Sequence, residues 1–308
     1  MYPPPIDIET RVFTVLPEEF RLAGEPSEWS RFERPGQIVH SFLEGPSFDR
    51  AGNLYCVDIA GGRIFRISPA GEWELFKQYD GEPTGLKIHA DGRIFVADNR
   101  LGIIEIDPQS RAIKTFIERI NLEPLRGCND LVFAENGDLF FTVPGQSSLT
   151  DPTGRVYRAT ASGQTTLLLS NVPYPNGLVL DVSGSSLYVA AMYANAIWRV
   201  PLGGTASPAM GVGLFVQLSG GLGPDGLALA SDGSIAVAQA RHGAVWVFNE
   251  LGEPVYRIHS CAGRSVTNLA YGGPGNRTLF ITEAATGSIL CADLPVPGLP
   301  MFSHQPLP

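Results

Sequence analysis

One short phrase recurs six times along this 308-residue chain, a polar residue with oxygen in its side chain standing just before a brief apolar run. LEGPSF, EPTGLKI, GCNDLVF, YPNGLVL, GPDGLAL and SVTNLAY superpose without gaps. They place Glu44, Thr84, Asn129, Asn176, Asp225 and Thr267 at one shared position, with spacings of 40, 45, 47, 49 and 42 residues. A period of roughly 40 to 50 residues marks a propeller or solenoid, whose units bury their faces only against their neighbours.

Each unit reads as a set of strands. After the innermost run comes a turn, DRAGN, HADGR, AENGD, DVSGS, ASDGS or GPGNR, whose Asn-Gly, Asp-Gly and Gly-X pairs suit φ above zero. A strongly apolar second strand follows (LYCVD, IFVAD, LFFTV, LYVAA, IAVAQ, LFITE), then a third (GRIFRIS through GSILCAD) and a weaker fourth (WELF, IKTFI, TTLLL, LFVQL, PVYRI). Four antiparallel strands per radial unit define a propeller blade. The sixth unit lacks its fourth strand, while RVFTVLP at 11–17 has no unit of its own. The expected fold is therefore all-β, one six-bladed β-propeller domain over residues 1–308, closed by that N-terminal strand. Residues 18–43 are irregular, over the pore rim or along the side, and 296–308 form a tail. The 35 Gly and 25 Pro leave no 11-residue window with a 3.6 period, which disfavours an α/β enzyme fold.

Composition narrows the function. A net charge of −9, with no run of basic residues, argues against nucleic acid. No stretch approaches the apolar length of a spanning helix, and MYPPPIDIET lacks the charge and hydrophobic regions of a leader, so a cytoplasmic location without membrane attachment is expected. Cys56, Cys128, Cys261 and Cys291 stand singly, which points to reduced thiols and excludes a zinc ribbon.

If the ring closes, the six polar positions face its axis. Glu44, Asn129, Asn176 and Asp225 then offer two charges and two neutral carbonyls, a donor set for a hard cation such as Ca²⁺ or Mg²⁺. The plainer reading treats Asn176-Gly177 and Asp225-Gly226 as turn pairs like Asp91-Gly92. Their place before the innermost strand, in register with Glu44 and Asn129, favours a site. GLGPDG at 221–226 matches a dinucleotide pattern, but a strand and turn follow it rather than a helix. No GxSxG, Walker A, HExxH or EF-hand pattern occurs. Arg126 and His242 fall where a loop side chain reaches the pore rim, although a solvated position is the simpler reading of each.

In LEGPSF, NDLVFAENGDLFFT, PNGLVL and PDGLAL the chain resembles the SMP-30/gluconolactonase/LRE family, over about residues 44–295. The resemblance implies a six-bladed propeller with one divalent cation on its axis, bound here by Glu44, Asn129, Asn176 and Asp225, the last also proposed as base. Many members open sugar lactones or other small lactones. Two positions depart from the sugar-lactone pattern: Gly127 stands where a basic residue is frequent, with Arg126 one step earlier, and Val143 stands where Asp is frequent.

The expected function is hydrolysis of a small, sugar-acid type lactone by metal-activated water. Asp225 acts as catalytic base, with Asp130 the alternative, and Asn129, Arg126 and His242 contact the substrate. The metal is Ca²⁺ before Mg²⁺, Mn²⁺ or Zn²⁺. The rivals are aryl-ester or phosphotriester hydrolysis on the same scaffold, as in propellers resembling paraoxonase, and a non-catalytic binding propeller. Nothing in the sequence specifies an oligomeric state.

Overall fold

A computed structural model describes residues 2–203 and 211–306. The repeats become six blades around one axis. Blade 1 comprises Leu43–Phe48, Leu54–Asp58, Arg63–Ile67 and Trp73–Gln78, paired in chain order from the axis outward. Blades 2 to 6 begin at the axis with Pro83–Ile88, Leu131–Phe133, Pro175–Leu180, Gly223–Leu229 and Val266–Gly272. The apolar second strands are buried along their whole length, since each blade packs face to face with two neighbours. Outer strands turn toward water, as in Ile113–Ile117 of blade 2, of which only Ile117 is buried.

Hydrophobic burial is distributed accordingly. Among the described residues, six apolar clusters lie one between each adjacent pair of blades, and a seventh lies under residues 18–43: Val57 and Leu86 join blades 1 and 2, and Phe48 and Phe280 join blades 1 and 6. Among the described residues no cluster fills the centre, and the axial cavity is left to the polar side chains of the repeats.

The predicted closure is present. Arg11–Val15 pairs antiparallel with Ser288–Asp293, Arg11 opposite Cys291 and Val15 opposite Ser288, and supplies the outer strand of blade 6. The preceding Ile6–Glu9, which carries no repeat signature, runs parallel to Pro254–His259 and gives blade 5 a fifth strand. The N-terminal segment thus bridges two blades.

Residues 18–43 form a cover over one end of the axis, the rim placement of the two left open by the sequence. Their single α-helix, Glu28–Glu33, is N-capped by Ser27, whose hydroxyl accepts from the Ser30 backbone N–H at 3.2 Å. Trp29 packs against Phe42 with ring centroids 4.9 Å apart and joins Ile59 and Ala60 of blade 1. A buried ion pair pins both ends of the cover: Arg63 Nε donates to Asp58 Oδ2 at 2.9 Å, Arg63 Nη1 donates to the Phe20 carbonyl at 2.7 Å, and the Phe42 N–H donates to Asp58 Oδ1 at 2.6 Å.

After blade 6 the chain crosses the opposite end of the ring, where Phe302 stacks on Phe133 at 5.0 Å and Arg50 Nε donates to the Ser303 carbonyl at 2.8 Å. All four cysteines are unpaired. Among the described residues no helix is long and apolar enough to cross a membrane.

Candidate active site

All six repeated polar positions line a single axial cavity of about 410 Å³ beneath the cover. They do not play one part. The Thr84 hydroxyl donates to the carbonyls of Ala97 and Cys128, both at 2.9 Å, tying blade 2 to blade 3. The Thr267 hydroxyl reaches the Leu43 carbonyl at 2.8 Å, tying blade 6 to blade 1. These two hydroxyls tie neighbouring blades together, which leaves Glu44, Asn129, Asn176 and Asp225 as the repeated polar positions facing the cavity without such a tie.

The residue after each polar position explains how close the strands come. Gly45, Gly85, Gly177 and Gly226 occupy it in blades 1, 2, 4 and 5. A Cβ at Gly177 would lie 2.4 Å from the Asp225 carbonyl oxygen, and one at Gly226 would lie 2.2 Å from Asn268 Oδ1. In blades 3 and 6, on opposite sides of the ring, Asp130 and Asn268 take that place. Asn268 Nδ2 donates to Asp130 Oδ2 at 3.3 Å, making a polar floor under the cavity. Lys87 Nζ lies 3.8 Å from Asp130 Oδ1, and the Leu131 N–H donates to the same oxygen at 2.8 Å. Asp130 is therefore engaged below the cavity and is not among the residues that line it.

The two carboxylates above this floor are in an unfavourable state by themselves. Glu44 and Asp225 are 7% and 5% exposed. Burial, and then the Asp130 charge, push the Glu44 carboxyl up to about 8. Burial, then the charges of Glu44 and Asp130, hold Asp225 well above the usual carboxylate range. Glu44 Oε2 accepts from the Gly45 N–H at 3.1 Å, but Asp225 Oδ1 is buried with no hydrogen-bond partner among the described residues. An unsatisfied buried carboxylate oxygen is costly unless something is bound there. Two carboxylates and two amide oxygens form a donor set that suits a hard divalent cation. Among the described residues no group of three or more His, Cys, Asp or Glu side chains could hold a metal instead.

Arg126 lines the cavity and donates to the Arg100 carbonyl. His242 is not in the lining. The chain turns at Arg241, which adopts φ 59° and borders the cavity, while the His242 ring sits 6.3 Å from Trp246. The rim position expected of His242 is taken by its neighbour Arg241. The cover adds Trp29, Arg34 and Phe42, and blade 4 adds Tyr174, another bulky residue at positive φ, 56°. Such backbone is rare outside Gly and Asn and concentrates at functional sites. The aperiodic segment 18–43 gave no local signal that it would supply part of the site.

A closed six-bladed propeller with an acidic, amide-lined pocket on its axis is the class that fold and site define. Residues 42–285 match the SMP-30/Gluconolactonase/LRE-like region, and the chain belongs to that family. Lactonase drp35 of Staphylococcus aureus (strain MRSA252) is 33% identical over 229 residues, covering 70% of this chain and 69% of that protein. In structure the chain is similar to the calcium-binding protein regucalcin from Agrobacterium tumefaciens, with TM-score 0.76, 20% identity, and coverage of 96% of this chain and 98% of that one. A gluconolactonase from Xanthomonas campestris gives TM-score 0.72 at 20% identity, covering 84% and 86% respectively. At that identity the structural likenesses speak for the fold alone.

Proposed function

We propose that the axial cavity hydrolyses a small lactone with the help of one divalent cation, Ca²⁺ before Mg²⁺, Mn²⁺ or Zn²⁺. The observation that carries this is Asp225 Oδ1, buried and unpartnered beside a second carboxylate on the axis of a family whose relatives include named lactonases. Glu44, Asn129, Asn176 and Asp225 would hold the ion. Bound there, it supplies Lewis acidity toward an ester carbonyl and toward water.

The chain's own groups do the rest. The cavity, about 410 Å³, is at the small end of ligand pockets and admits a single ring. Asp225, buried in the cavity lining, would take a proton from the attacking water. As the water oxygen bonds to the carbonyl carbon and the ring C–O bond breaks, that proton passes to the departing alkoxide. The product is a hydroxy acid, which ionises near neutral pH and releases one proton to solvent. Arg126 at the rim and the Asn129 amide orient the ring. Trp29 and Phe42 of the cover keep bulk water off the reacting carbonyl. Sugar-acid lactones are the first candidates, because these donors and acceptors suit ring hydroxyls.

Proton release from a panel of five- and six-membered lactones, followed with an indicator dye before and after chelation, tests the reading. Turnover that vanishes with chelator and returns with a divalent ion supports it. Faster turnover of aryl esters or phosphotriesters than of every lactone overturns the substrate class, and no hydrolysis by metal-loaded protein overturns catalysis.

A further inference from the structure

The ionisable lining of the cavity is not matched to a neutral substrate. Three carboxylates, Glu33, Glu44 and Asp225, face three guanidinium groups, Arg34, Arg126 and Arg241. A divalent cation among Glu44, Asn129, Asn176 and Asp225 would leave two positive charges uncompensated at the mouth, in a chain whose own net charge is −9.

Arg126 is turned to the Arg100 carbonyl, which leaves Arg34 and Arg241. Among the described residues neither has a carboxylate within ion-pair distance, whereas the nearby Arg63 and Arg100 pair with Asp58 and Asp80. The Arg34 guanidinium lies 4.8 Å from the Phe42 ring centroid and 5.9 Å from that of Trp29, so its plane is held by the cover. Its pKa is lowered by burial and then by the charge of Arg241, with Glu33 and Asp225 acting the other way. Arg241 is held at the cavity in left-handed backbone, φ 59°. Arg34, held by the cover, and Arg241, exposed at the mouth, both line one pocket without a carboxylate partner, and such a pair makes a site for a planar anion, which guanidinium groups bind in bidentate fashion.

We propose that the preferred substrate is a lactone bearing a carboxylate on its ring or side chain, so that opening it yields a dicarboxylic hydroxy acid, and that Arg34 and Arg241 clasp the carboxylate that does not react. This rests on the lactone-hydrolase reading and gives its substrate a charge. Arg34 and Arg241 bind substrate and are not catalytic residues. They should act through KM more than kcat.

The test compares γ-carboxy-γ-butyrolactone with its neutral carboxamide. Wild-type protein should prefer the carboxylate by at least ~10-fold in kcat/KM, the scale of a hydrogen bond to a charged group. That ratio should fall to about 1 in Arg34→Gln, Arg241→Gln, with Arg34→Lys between. A wild-type ratio near 1, or one the double variant leaves unchanged, overturns the proposal. A second readout needs no turnover: calorimetric binding of the product diacid, α-hydroxyglutarate, should weaken at least ~10-fold in the double variant. If neither lactone is opened yet the diacid binds only when both arginines are present, the hydrolase reading fails and the anion site stands. Equal binding to both proteins overturns the anion site whatever the activity.

Discussion

Asn268 Nδ2 donates to Asp130 Oδ2 at 3.3 Å between blades 3 and 6, which face each other across the ring. The two sit at equivalent places in their repeats and are held alike. The Asp130 N–H donates to the Thr142 hydroxyl at 3.0 Å, and the Asn268 N–H donates to the Thr282 hydroxyl at 3.0 Å. Thr142 then reaches the Asn176 carbonyl at 2.8 Å, so the floor is wired to a residue of the site itself. Asn268→Ala should therefore cost about 1–3 kcal/mol, the penalty for a buried acceptor deprived of its donor, read as a lower urea midpoint at unchanged m-value. An unchanged midpoint would show that the floor adds nothing to the fold.

Glu44→Ala and Asp225→Ala each remove one of two buried carboxylates from the cavity. Each should lose stoichiometric Ca²⁺ and lower lactone turnover by at least ~10²-fold, the scale of losing a catalytic metal's electrostatic contribution. Circular dichroism should remain that of the wild type. Asp232→Ala is the control. Its carboxylate accepts from the Ser234 N–H at 2.9 Å in a turn far from the axis, and neither metal content nor rate should change. Metal retained at one equivalent in the Glu44→Ala, Asp225→Ala double variant would refute the assignment.

The raised carboxyls give the metal-free protein a pH dependence of defined sign. Glu44 goes from an ordinary value of 4.5 to about 8 in the folded state, so the folded chain holds a proton that the unfolded chain has released. The associated stability is complete below about 4.5 and is lost as pH rises through about 8. Chelated protein should melt lower at about pH 8 than at about pH 5 on this account. Saturating divalent ion replaces the proton and should flatten or reverse the slope, with protons released on binding and affinity rising with pH. A chelated protein whose melting temperature rises over the same interval would contradict the burial of these carboxyls.

Deleting residues 1–17 strips both the parallel strand on blade 5 and the closing strand on blade 6. It also removes Leu16, 1% exposed, and Phe13, whose ring packs edge-on to Phe280 at 5.1 Å. The expected loss is at least ~3 kcal/mol, comparable to excising one large core side chain, and a melting temperature several degrees lower. Equal melting of the truncated and full chains would mean that closure contributes no stability.

The ring was legible because propeller blades write themselves periodically: one polar residue at the axis, a Gly-bearing turn, and a second strand apolar throughout because both its faces are covered. The six second strands are found where their apolar runs predict them. That Glu44, Asn129, Asn176 and Asp225 share one axial cavity was legible by register alone. The same register carried a further signal, the replacement of glycine by Asp130 and Asn268 three blades apart, which marks the floor. The rest of the site was hidden for a physical reason. Trp29 and Arg34 come from a one-off segment held by Asp58 and Arg63 through contacts remote in sequence. His242 and Arg241 are adjacent residues whose fates diverge at a single backbone conformation, and spacing does not encode it.

The strand that shuts the ring and the helix that roofs the cavity both belong to residues 11–33, while the partner of that strand is made far later: Arg11 and Asp293, linked at 3.0 Å, are 282 residues apart. The N-terminal strand must wait for blade 6 before it can pair. Until then the growing chain is an open arc whose axial groups face outward into water, and the roof anchored on blade 1 has no complete vessel to cover. Assembly of the pocket thus waits on the sixth blade, and the long loop that this pairing closes makes it a slow step.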